Sequence, residues 1–137
     1  MIQRIQTVWL LLAGLAVMLT IQFPFYSGIN DPAIPYQELT GKNGGILILL
    51  VTLLIAVIAF VAIGVFKNRS TQLLLCIAGI LLEALLLFLY YNKINSYTQG
   101  TLALASIVHL FIILFFALAV KGISKDNKLI KDSDRLR

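Results

Sequence analysis

Four long apolar runs, at about residues 5–23, 46–66, 71–91 and 101–120, leave this chain little choice of solvent. Each holds about 19 to 21 residues, and at about 1.5 Å rise per residue a helix of that length crosses a hydrocarbon core of roughly 30 Å. A chain of 137 residues that is 60% hydrophobic, with a mean hydropathy of +0.95, has too much apolar surface to hide from water. In lipid every backbone N–H and C=O must find its partner within the chain, which selects helices. The expected fold class is therefore all-α: an integral-membrane, antiparallel four-helix transmembrane bundle, one domain over residues 1–137. The first run is too long for the apolar region of a cleaved signal peptide. No small-x-small pattern precedes Ser27, so this run reads as a retained span.

The charges set the expected orientation. Eleven Lys and Arg face six Asp and Glu, for a formal charge of +5. With both termini on one side, nine of the eleven cations share a face: Arg4, Lys67, Arg69, Lys121, Lys125, Lys128, Lys131, Arg135 and Arg137. Only Lys42 and Lys93 lie opposite. That bias places both termini in the cytoplasm. The tyrosines (Tyr26, Tyr36, Tyr90, Tyr91 and Tyr97) fall at the other interface, and Trp9 sits near the cytoplasmic end. The basic excess is thus explained by topology and anionic lipid, and no nucleic-acid partner is expected.

Several chemistries are excluded by what the chain lacks. One cysteine, Cys76, cannot form an internal disulfide or a CxxC pair. One histidine, His109, cannot hold a bis-histidine haem, and no Cys/His cluster offers zinc a site. Gly44-Gly45 has no phosphate-binding pattern around it and reads as a loop-to-helix hinge. Pro24, Gly28, Pro32 and Pro35 read as punctuation of the one sizeable loop, residues 24–45. Ser106 lies one helical turn before His109, but no Asp in the runs orients the imidazole. Phe111, Phe115 and Phe116 read as lipid-facing or packing residues. No catalytic residue, cofactor or metal is expected, and the protein reads as a non-enzyme.

Two side chains inside the runs can carry a proton-linked charge: Glu83 and His109. Glu83 precedes Tyr91 by eight residues and His109 follows Thr101 by eight, so both should lie roughly 12 Å below the outer surface. Runs three and four are joined by a short loop, residues 92–100, and should pair as a hairpin, which lets the two meet. Cys76, Gly79 and Tyr90 share Glu83's stripe, and Ala105 and Ser106 share that of His109. An ionised carboxylate alone in hydrocarbon costs several kcal/mol, so Glu83 must be protonated or paired. A buried hydrogen bond that fixes packing is the simplest account; proton or cation coupling is the functional one.

The tail, residues 121–137, is more elaborate than a stop-transfer anchor requires. Lys125, Lys128, Lys131, Arg135 and Arg137 alternate with Leu129, Ile130 and Leu136, and Asp134 adds an acid. A short helix lying on the cytoplasmic leaflet would set the lysines on anionic headgroups, and docking on a cytoplasmic partner fits equally.

Residues 1–13, MIQRIQTVWLLLA, and 126–137, DNKLIKDSDRLR, resemble a Bacteroidota family of small four-span membrane proteins, domain of unknown function 4293. The resemblance implies a bacterial inner-membrane location and supplies no activity, ligand or catalytic residue. Small multidrug transporters share the four-span build, but their acid lies in the first span, and here that span has none. The expected function is a non-enzymatic accessory or scaffold protein, packed in a larger membrane complex and docking through its tail. The alternative is a small proton- or cation-linked transporter or channel subunit using Glu83 and His109; four spans enclose little space, so it requires a homo-oligomer.

Overall fold

The helices follow the apolar runs. In a computed structural model, which describes residues 3–29, 33–34 and 36–135 and side chains from Ile5 onward, α1 spans Gln3–Thr20, α2 Ile46–Gly64, α3 Arg69–Ile94 and α4 Ile107–Arg135. A single 3₁₀ turn, Leu104–Ser106, leads into α4. Asn68 starts α3 by accepting the Thr71 N–H on its side chain at 3.3 Å. Gly45 precedes α2 at φ 114°, a backbone setting that glycine alone tolerates easily.

Each helix packs along its two sequence neighbours, and α1 closes the ring against α4. Bonds between helix ends show that neighbours run in opposite directions. Gln6, at the start of α1, donates to Asp126 late in α4, and Gln72, at the start of α3, donates to the Ala62 carbonyl at the end of α2. The core holds Leu10, Ile55, Leu86, Ile112, Phe116 and Ile123, all fully buried. Small residues allow the close approach: a Cβ on Gly79 would stand 2.8 Å from the Phe116 ring. On α2 the inward stripe is Ile48, Val51, Thr52, Ile55, Ala56, Ala59 and Ala62, while Leu50, Leu54, Val57 and Val61 point out. The small residues Ala56, Ala59 and Ala62 on this stripe let neighbouring helices approach closely.

Among the described residues, three helical segments, in α2, α3 and the 3₁₀-led α4, are long and apolar enough to cross a membrane. The expected first span does not reach that length. Its apolar helix covers Ile5–Thr20 and stops before Pro24, about 24 Å of rise. The chain is also not all-α. Residues 24–45 and 92–100 carry a small antiparallel sheet of order β2-β1-β3, with β1 at Tyr26–Ile29, β2 at Gln37–Leu39 and β3 at Gln99–Leu102. Tyr26 lies opposite both Leu39 and Leu102. Gly28 and Gly100 face each other, and a Cβ on Gly28 would come within 2.7 Å of the Gly100 Cα, so this crossing needs glycine. The sheet corrects two expectations: the loop after α1 is paired strand, and the run expected to be helical from residue 101 begins as β3. Pro32 and Pro35 lie outside the described residues.

The tail is corrected as well. It is not a separate helix on a leaflet but the unbroken end of α4, helical to Arg135. Leu136 and Arg137 lie outside the described residues.

Candidate functional site

Glu83, on the inward stripe of α3, and His109, the third residue of α4, meet between those helices. The His109 Nδ1 and Glu83 Oε1 lie 2.6 Å apart, with side-chain exposures of 2% and 0%. An imidazole N–H donates to the carboxylate, a charge-assisted bond that suits the short distance, or a protonated carboxyl donates to the imidazole. Ala105 and Ser106 do not share the His109 stripe, because they sit in the 3₁₀ turn before the helix.

An aromatic collar closes the pair on the sheet side. Tyr90, two turns beyond Glu83 on α3, stacks on Phe25 with ring centroids 4.4 Å apart. Both rings meet the imidazole edge-on, Phe25 at 5.1 Å and Tyr90 at 5.3 Å. Phe25 also belongs to the sheet's framework: its N–H donates to the Leu39 carbonyl and its carbonyl accepts from the Ala103 N–H. Tyr26 and Tyr97 pack edge-to-face at 5.4 Å above it. Burial first, and the neighbouring Tyr26 second, push the Tyr97 hydroxyl above its ordinary range. Among the described residues, two buried polar atoms, Glu83 Oε2 and Tyr90 OH, have no hydrogen-bond partner.

A second polar link lies at the other end. Gln6 Nε2 donates to Asp126 Oδ2 at 2.6 Å, and both residues are buried. Gly122, one turn earlier on α4, admits Gln6: a Cβ there would stand 2.9 Å from Gln6 Cγ. Beyond Asp126 the packing ends, and residues 128–135 are all exposed. Lys125, Lys128 and Arg135 line one stripe of this extension with Lys131 at its margin, opposite the face that buries Ile123 and Asp126. Leu129 and Ile130 are 51% and 44% exposed, Asp132, four residues after Lys128, is an acid on the cation stripe, and Asp134 is exposed off it.

A scan against protein-family models matches residues 2–136 to "Domain of unknown function (DUF4293)". The chain belongs to this family. No curated protein and no solved structure matches it. In this DUF4293 protein the buried polar links lie toward two ends of the bundle, Glu83–His109 at one and Gln6–Asp126 at the other. Among the described residues no group of three or more His, Cys, Asp and Glu side chains could hold a metal. An open polar cleft of about 610 Å³ beside the sheet, lined by Tyr36, Gln37, Glu38, Asn43 and Tyr97, contains one acid and no nucleophile–base pair.

Composition and depth arguments miss Gln6, Asp126, Gln72 and Phe25. Asp126 counts as one more tail charge until α1 is seen against it. Its spacing carries a signal: it extends the buried stripe Phe116, Ala119 and Ile123 at helical intervals. Phe25 follows Pro24 in what reads as loop, and no signal in the chain ties it to His109.

Proposed function

We propose that this protein is a non-enzymatic accessory or scaffold component of a bacterial inner membrane. In this reading it is a four-helix transmembrane bundle with cytoplasmic termini, packed in a larger membrane complex or homo-oligomer, and the projecting end of α4 is its docking element. The supporting observation is the extension itself. The helix rises about 14 Å past the Gln6–Asp126 link and is exposed from Lys128 to Arg135, with Lys128 and Arg135, beside Asp132, on the face turned away from α1. Lys121 and Lys125 stand at headgroup level and suit anionic lipid. Lys128, Lys131 and Arg135 stand beyond it, where an acidic protein surface is the fitting partner, and Leu129 and Ile130 add apolar contact.

The alternative, an oligomeric proton- or cation-linked transporter or channel subunit, draws on the Glu83–His109 pair. At 0% and 2% exposure that pair has no wet approach within one copy, so conduction requires a path assembled between copies.

The test is a gentle-detergent purification of the natively expressed protein beside a Lys128→Glu, Lys131→Glu, Arg135→Glu variant, with mass spectrometry and native gels. A stoichiometric partner that the variant loses, at equal membrane insertion, is the expected result. A homo-oligomer with the same composition in both preparations overturns the docking reading.

A further inference from the structure

We infer that the sheet end of the protein binds a phospholipid with an ethanolamine headgroup, its ammonium held at Glu38 and an acyl chain laid between α3 and the sheet. Two concavities meet there. One is the open polar cleft of about 610 Å³ lined by Tyr36, Gln37, Glu38, Asn43 and Tyr97. The other is an apolar groove of about 420 Å³ lined by Phe25, Tyr26, Leu87, Tyr91, Ile94 and Leu102. Tyr97 of the cleft packs edge-to-face on Tyr26 of the groove at 5.4 Å, so this ring pair stands between them. The Tyr97 N–H donates to the Ile94 carbonyl at 2.8 Å, and Tyr26 pairs with Leu102 across the sheet. The dividing wall is thus fixed to the end of α3 on one side and to β3 on the other.

Position selects a lipid as the occupant. Leu87, Tyr91 and Ile94 belong to the last two turns of α3, a helix long and apolar enough to cross a membrane. The groove therefore opens at the depth of the upper acyl chains of that leaflet, and the cleft, built by chain beyond the helix ends, at the depth of the headgroups. Charge selects the headgroup. Glu38 is the one charged side chain lining the cleft, and among the described residues it forms no ion pair. A carboxylate beside the rings of Tyr36 and Tyr97 attracts an ammonium group, which aromatic faces also favour. The Gln37 and Asn43 amides and the two hydroxyls supply neutral donors for a phosphate. An anionic headgroup would meet the Glu38 charge uncompensated, whereas a zwitterionic one sets its ammonium against it. The inference rests on the membrane reading of the helices and is independent of the docking assigned to α4.

The full-length protein in detergent would be titrated with dioleoyl phosphatidylethanolamine, with phosphatidylglycerol of the same chains, and with glycerophosphoethanolamine, which keeps the headgroup and lacks the chains. Native mass spectrometry counts what is bound. The headgroup alone leaves the groove empty and should bind more than about tenfold more weakly than the whole ethanolamine lipid. Glu38 is exposed and outside any ion pair among the described residues, so Glu38→Gln should fold as wild type does. It should weaken the ethanolamine lipid about tenfold, the order of one charge-assisted bond, without weakening the glycerol lipid. Tyr36→Leu, also at an exposed position, should weaken the ethanolamine lipid about threefold through loss of one ring face. The Lys128→Glu, Lys131→Glu, Arg135→Glu variant should bind the ethanolamine lipid as wild type does, so the two readings fail separately. Undiminished ethanolamine-lipid binding in Glu38→Gln, an equal loss of both lipids there, or a chain-free headgroup that binds as tightly as the whole lipid overturns the inference.

Discussion

The two ends of this molecule treat charge in opposite ways. At the sheet end, Glu83 and His109 are drawn 2.6 Å together, capped by Phe25 and Tyr90, and kept from solvent. At the tail end, α4 carries its cations past the packed helices and presents them on one exposed stripe. Both ends also contain a buried link between α4 and a neighbour, His109 to α3 and Asp126 to α1. The difference lies in what surrounds the link. A pair of ionisable groups closed in by rings has only its partner to satisfy it. A carboxylate bonded to a neutral amide beside a basic helix end has cations of its own helix close by in sequence. Disturbance at the first end should therefore cost stability, and disturbance at the second should cost association.

The largest effect is expected at the dyad. His109→Leu leaves Glu83 unpaired in an apolar site and should destabilise the protein by about 3–5 kcal/mol. Adding Glu83→Leu removes the stranded acid, and most of that loss should return, because well-packed apolar replacements of buried pairs are often neutral. Reversible unfolding in detergent, wild type against single and double variants, measures both. A double variant no more stable than His109→Leu would show that the pair does not act as a unit. Next comes the helix crossing beneath it. Gly79→Leu forces atoms into the Phe116 ring and should cost about 1–3 kcal/mol. At Gly64 an added Cβ meets nothing within 4 Å, so Gly64→Ala should be neutral or stabilise by up to about 1 kcal/mol through backbone entropy.

Much of this contrast was legible in the chain, though unevenly. Hydropathy located the helices because lipid demands length and apolarity, and both can be counted. It did not select faces: in α2 every residue but Thr52 and Gly64 carries an apolar side chain, and buried Val51 and Ile55 have the same character as outward Leu54 and Val57. The sheet was hidden because its strands are three or four residues long. Gly28 and Gly100, which allow its closest crossing, carry the same letters as ordinary turn residues. Equal depth on neighbouring runs placed Glu83 near His109, yet the counting behind it assumed helix from residue 101. Strand β3 occupies that stretch, and His109 sits near the start of α4 instead. Asp126 escaped notice because a charge in a charged tail says nothing of its partner.

At the tail end the expected effects are smaller. Asp126→Leu leaves the buried Gln6 amide without its acceptor and should cost about 1–3 kcal/mol. Asp126→Asn keeps an acceptor oxygen and should cost less. Beyond the link, Lys128→Ala, Lys131→Ala and Arg135→Ala remove exposed charges that hold no packing, so each should change stability by less than about 0.5 kcal/mol. These substitutions bear most sharply on the contrast, because the same unfolding experiment that detects His109→Leu should register almost nothing here. Association is where they should be felt. Loss of a co-purifying partner at unchanged stability would show that the extension presents charge outward. A stability loss as large as that of His109→Leu would mean that the extension is packed against something in the membrane, and the two ends would then be alike.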